Sequence, residues 1–64
     1  MSKVTEKNRT VIARAIRRNL VEFGYSDLTE DKVSSEMDKL FEGIEPDNII
    51  GMMIKGQLEE NNLI

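Results

Sequence analysis

The stretch IARAIRRNLVEFG, residues 12–24, carries the clearest helical pattern in the chain. Its apolar residues recur at intervals of four, four and three, which places them on one face of an α-helix: Ile12, Ile16, Leu20 and Phe23. Gly24 follows directly and suits the left-handed conformation that ends many helices. The pattern predicts a first helix over about residues 5–23.

A second helix is predicted at about residues 28–42. Its apolar residues again share one face: Val33, Met37, Leu40 and Phe41. Gly43 is placed to end it. Two residues could cap its start, Asp27 and Thr29, because acidic residues follow each of them where a helix N-terminus favours negative charge. The sequence leaves the choice between these caps open.

A third helix is predicted at about residues 46–60, because proline suits the first position of a helix and Pro46 is followed by a long apolar run. Gly51 and Gly56 lie inside this run, and each weakens a helix by about 1 kcal/mol relative to alanine. We therefore expect this helix to be stable only when it is packed.

The predicted fold class is all-α, a compact three-helix bundle, since no segment shows the period-two alternation of a half-buried strand. Residues 1–64 are expected to form a single small domain, with frayed ends at residues 1–4 and 61–64. The predicted core consists of Ile12, Ile16, Leu20, Phe23, Val33, Met37, Leu40, Phe41, Ile50, Met53, Ile54 and Leu58.

Length and composition exclude several classes of protein. With 64 residues, one hydrophobic core supplies only a few kcal/mol, and without cysteine no disulfide can add to it. The longest apolar run is far shorter than the roughly 20 residues that cross a bilayer. The N-terminus mixes charges where a signal peptide would be apolar. We therefore expect a cytoplasmic protein that does not bind membranes.

Catalysis is not expected from this composition. Histidine, the usual base near neutral pH, and cysteine, a common nucleophile, are both absent. A chain this short also has difficulty enclosing a substrate pocket. The acids between residues 27 and 38 partly match a calcium loop, but Lys32 stands where that loop requires glycine. The sequence predicts no enzyme, no small-molecule substrate, no cofactor and no metal.

Charge is distributed unevenly along the chain, whose net charge is -3. Residues 1–20 contain six basic residues and one acidic residue, whereas residues 21–64 contain three basic and eleven acidic residues. Four basic residues lie opposite the apolar stripe of the first helix: Lys7, Arg14, Arg17 and Arg18. This basic face is interpreted as a solvated surface, a site for an acidic protein partner, or a nucleic-acid contact.

The third helix is apolar on more than one side, which predicts contact with a partner or a second copy. The predicted partner-binding residues are Ile49, Met52, Gly56 and Leu63. The hypothesis that follows is a small acidic protein-interaction or regulatory protein that acts through helix-face contacts with a protein partner or by self-association as a dimer. The alternative is a nucleic-acid-binding protein that uses the basic face of the first helix.

Residues 20–26, LVEFGYS, resemble the first helix-loop signature of ubiquitin-associated domains, in which the loop carries a Met-Gly-Phe or similar triplet. The resemblance would extend over about residues 11–60. It implies a compact three-helix fold. As a fold analogy, it does not specify a function.

Overall fold

The computed structural model describes residues 5–64 and confirms an all-α, three-helix bundle. The helices are α1 (Glu6–Glu22), α2 (Glu30–Phe41) and α3 (Ile49–Glu60). Helix α2 packs against both α1 and α3, whereas α1 and α3 contact each other only weakly. The arrangement leaves an open side between α1 and α3. Residues 1–4, predicted to fray, lie outside the described residues.

Each helix begins after a side chain that caps its first turn. Thr5, Thr29 and Asn48 accept hydrogen bonds from the backbone N–H groups three residues further on, at 3.2, 3.1 and 2.7 Å respectively. The cap of α2 is therefore Thr29 and not Asp27. The predicted start of α3 at Pro46 was wrong, since the Asn48 cap delays the helix to Ile49 and leaves the proline in the preceding loop.

Each helix ends in a Schellman motif, in which a left-handed residue reverses the chain. These residues are Gly24 (φ 110°), Gly43 (φ 86°) and Asn62 (φ 59°). The next N–H in each case bonds back to a carbonyl five residues earlier: Tyr25 to Leu20, Ile44 to Lys39 and Leu63 to Leu58, at 3.1, 2.9 and 2.8 Å. The tail at residues 61–64, predicted to fray, therefore contains a closed helix end.

The three helices enclose one apolar core. Its buried side chains are Ala13, Ile16, Leu20, Leu28, Val33, Met37, Leu40, Ile54 and Leu58. Seven of these nine were predicted from helical spacing. Four other predicted core residues are only half-buried and pack at its margin: Ile12, Phe41, Ile50 and Met53.

The prediction that Phe23 belongs to the core was wrong, because its side chain is 73% exposed. Leu28 is buried in this region, at 7% exposure, although it lies outside any helix. Phe23 is the C-cap of α1, and the chain reverses immediately after it. The returning loop is held by Arg17, whose Nε donates to the Leu28 carbonyl at 2.8 Å. Leu28 thus enters the core from the loop.

One charged side chain, Glu36, is also buried, at 2% exposure. Its Oε2 lies 3.1 Å from Lys32 Nζ and 3.8 Å from Lys39 Nζ. A buried carboxylate requires such opposite charges. The carboxylate also lies beside Gly51 in the first turn of α3, where the helix dipole favours negative charge. Glu36 therefore forms part of the contact between α2 and the first turn of α3.

Candidate functional site: an exposed apolar surface on α3

Helix α3 has two apolar faces. Ile54 and Leu58 are fully buried in the core, whereas Ile49 and Met52 are 63% and 61% exposed on the outward side. Gly56, one turn beyond Met52, is exposed on that outward side. Positions 49, 52, 53 and 56 are spaced i, i+3, i+4 and i+7, so they form one stripe along the helix. The bundle leaves this stripe in contact with solvent.

A groove between the end of α1 and α3 extends the stripe. Its volume is about 670 Å³, it is open to solvent, and Phe23, Met53 and Gly56 are among the residues that line it. Together, Ile49, Met52, Met53, Gly56 and Phe23 are called here the α3 surface. Since most monomeric proteins expose large apolar side chains singly, a group of this kind is typical of a binding surface.

A polar contact marks the boundary of this groove. Asn19 Nδ2 donates to Gln57 Oε1 at 3.2 Å, which joins α1 to α3. A second groove of about 430 Å³ borders the same two side chains and is lined by Ile12, Ile16 and Leu63 among others. The two helices are thus joined by this hydrogen bond, with an open groove on either side of it.

The structure brings together three of the four predicted partner-binding residues of α3 and its tail. Ile49, Met52 and Gly56 lie on the α3 surface. Leu63 does not, because it is half-buried against the core and lines the second groove. Its position follows from the Schellman motif, whose final apolar residue packs back on the helix.

Phe23 lies on the α3 surface, although helical spacing assigned it to the core, and Met53 lines the groove while it also packs at the margin of the core. A signal for Phe23 was present in the sequence. Once Gly24 is placed at the left-handed position, Phe23 becomes the cap, and the residue that packs back on the helix is Tyr25. The helical spacing alone could not show this, since it treats residue 23 as a continuation of α1.

The rim of the α3 surface is acidic. Glu22 and Glu60 line the groove, and no basic side chain of the described residues lines it. Lys55 is the one cation within α3, and its Nζ lies 3.1 and 3.3 Å from the two carboxylate oxygens of Glu45. This hydrogen bond, together with the charge of Glu45, raises the pKa of Lys55. The cation of α3 is therefore engaged by an acid of its own chain.

The predicted basic face of α1 divides into two groups. Arg14 Nε lies 3.3 Å from Glu30 Oε1, and Arg17 donates to the Leu28 carbonyl. These two arginines therefore hold α1 against the start of α2. Lys7 and Arg18 are exposed and form no ion pair within residues 5–64. The structure thus leaves two of the four cations fully available to a ligand.

Neither a metal cluster nor a membrane span is found in residues 5–64. No group of three or more carboxylate, histidine or cysteine side chains there could hold a metal ion. None of the three helices combines the length and apolar character that a bilayer crossing requires. These findings concern only the part of the chain that the structure describes.

Comparison of the chain with protein family models, curated proteins and solved structures gives no match. The resemblance of residues 20–26 to ubiquitin-associated domains therefore stays a fold analogy.

Proposed function

We propose that this protein is a small non-enzymatic interaction or regulatory protein that binds a protein partner through the α3 surface. The observation that carries the proposal is the exposure of Ile49 and Met52 on the outer side of a helix whose inner side already completes the core. Packing of the bundle does not require these two side chains. Burial of these side chains against a partner would therefore contribute hydrophobic free energy to binding that does not already stabilise the fold.

The composition of the surface fits contact with a protein. Methionine has an unbranched, polarizable side chain that adapts to different partners, and two methionines lie on the stripe. Phe23 adds a large aromatic group of the kind that dominates binding energy at interfaces. The groove beside it is open and rimmed by charge, which suits a protruding side chain of another protein better than an enclosed small molecule.

The proposal is tested by replacing one exposed apolar residue on each of two faces. Binders are selected with the wild-type protein from a displayed library of helical peptides, and their affinities are then measured for the wild type, Met52→Glu and Val11→Glu. Val11 is a matched control, because it is 63% exposed, close to the 61% of Met52, but lies on α1. We expect Met52→Glu to weaken the selected binders by about tenfold or more and Val11→Glu to leave them unchanged.

Circular dichroism provides the folding control for this experiment. Both variants change exposed side chains, so we expect helical content equal to that of the wild type. Binders that tolerate Met52→Glu but are lost with Val11→Glu would contradict the proposal and place the interaction on α1.

Nucleic-acid binding is a second candidate, supported by the exposed cations of α1. Lys7 and Arg18 are free of ion pairs within the described chain, and Arg14 stays 63% exposed beside Glu30. Its support is weaker, because the rest of the surface carries an excess of acids that repel phosphate.

This candidate predicts duplex binding that weakens steeply as salt rises and that is lost in the double variant Lys7→Glu, Arg18→Glu. Fluorescence anisotropy with a labelled duplex at low and high salt measures both effects. The double variant spares Arg14 and Arg17, so the contacts that hold α1 to the following loop and to the start of α2 stay intact. No binding by the wild type at low salt would eliminate the candidate.

A further inference from the structure

From the α3 surface and its acidic rim, we infer that the partner presents an amphipathic α-helix with lysine or arginine beside its apolar stripe. This inference rests on the proposed function and adds the chemistry of the partner. The helix lies along α3, with its basic residues over Glu22 and Glu60, which line the groove.

The spacing of the surface favours a helix as the bound element. Ile49, Met52, Met53 and Gly56 recur at the intervals with which one helix meets another. Gly56 has no side chain, and a Cβ placed there would meet nothing within 4 Å. The backbone of a second helix can therefore approach α3 closely at this point. From Ile49 to Gly56 the stripe is about 10.5 Å long, enough for about two turns of a partner helix.

Charge determines which helices fit. Glu22 and Glu60 line the groove beside Phe23, and Glu59 precedes Glu60 at the same end of α3. Lys55, the one cation of α3, is hydrogen-bonded to Glu45 and does not line the groove. Basic residues on the partner would meet this rim favourably, whereas acidic residues or phosphates would be repelled.

The same charges disfavour a second copy of this chain as the occupant. A two-fold dimer brings the same surface of both copies together. Acids lie at both ends of the α3 stripe, with Asp47 before it and Glu59 and Glu60 at its end. In either orientation of two α3 helices, acids would therefore face acids. A partner of opposite charge avoids this repulsion.

The inference is tested with a displayed library of helical peptides about 16 residues long, or about 24 Å. The apolar stripe of each peptide is fixed, and the flanking positions are varied equally among lysine, glutamate and glutamine. We expect peptides selected by the wild-type protein to carry lysine at the flanks and to bind about tenfold or more weakly to Met52→Glu. Sedimentation of the protein alone across a concentration series is expected to show a monomer.

Two double variants of equal net charge distinguish a lysine preference caused by Glu22 and Glu60 from a general attraction of basic peptides to an acidic protein. Glu22→Gln with Glu60→Gln removes the two acids of the groove, whereas Asp27→Asn with Glu42→Gln removes two exposed acids outside it. We expect the lysine preference to disappear in the first variant and to persist in the second. An equal loss in both variants would overturn the inference.

Failure of the inference can be distinguished from failure of the proposed function. If Met52-dependent peptides carry glutamate or glutamine flanks, the protein uses the α3 surface but the partner chemistry is wrong. If no selected peptide depends on Met52, the proposed function itself is wrong. A concentration-dependent dimer that Met52→Glu abolishes would instead make a second copy the occupant and overturn the inference.

Discussion

Leu28→Ala is expected to lower the free energy of unfolding by about 2–4 kcal/mol, whereas Phe23→Ala is expected to change it by less than about 0.5 kcal/mol. The two residues lie five positions apart, and the larger side chain is the one with the smaller effect. The reason is burial, since Leu28 is 7% exposed and Phe23 is 73% exposed.

Thermal unfolding followed by circular dichroism measures this difference. In a domain of this size each kcal/mol changes Tm by about 4–8 °C. Because the total stability of so small a core is only a few kcal/mol, Leu28→Ala could unfold the chain, and Leu28→Val provides a milder truncation at the same site. Equal losses of Tm in Leu28→Val and Phe23→Ala would contradict the burial of Leu28 and the exposure of Phe23.

Gly51→Ala is expected to destabilise the protein by about 1 kcal/mol or more, whereas Gly56→Ala is expected to stabilise it by up to about 1 kcal/mol. Both glycines lie inside α3, where alanine is the better helix former. A Cβ at Gly51 would lie 2.8 Å from both Glu36 Oε1 and Pro46 Cβ, but one at Gly56 would meet no atom within 4 Å. The resulting crowding outweighs the helix propensity only at Gly51.

Urea unfolding of the wild type and the two glycine variants measures the expected loss of stability in one variant and the expected gain in the other. The pair forms its own control, because the substitution and the helix are the same in each variant. A gain of stability at Gly51 similar to that at Gly56 would mean that Glu36 and Pro46 do not pack against the first turn of α3. The effect of Gly56→Ala on partner binding is measured separately, because Gly56 also belongs to the α3 surface.

The sequence predicted the presence of the helices more accurately than the residues at which they begin. The apolar spacing predicted all three helices, and Gly24 and Gly43 marked the ends of the first two correctly. The start of α3 was misplaced, because proline at a helix start and asparagine as a cap are both reasonable readings of Pro46-Asp47-Asn48. Only the hydrogen bond from Gly51 N–H to Asn48 Oδ1 distinguishes them.

The candidate site could be predicted only in part. Ile49, Met52 and Gly56 were identified because a helix that is apolar on two sides cannot bury both against one core. Phe23 and the acidic rim were missed, since Phe23 and Glu22 come to lie beside α3 and Glu60 only when α1 packs next to it. Helical spacing placed four basic residues opposite the apolar stripe of α1, but the contacts of Arg14 and Arg17 depend on the start of α2 and on the loop that follows α1.

The sequence by itself determined the three helices, the glycine ends of the first two, most of the core and the division of charge between the first 20 residues and the rest. These properties depend on residues close together in the chain, where the period of the helix fixes which side chains share a face. Tertiary structure decided the burial of Leu28 and Glu36, the need for glycine at position 51 and the groove between α1 and α3. Each of these depends on contact between residues distant in sequence, and such contacts exist only after the helices have packed.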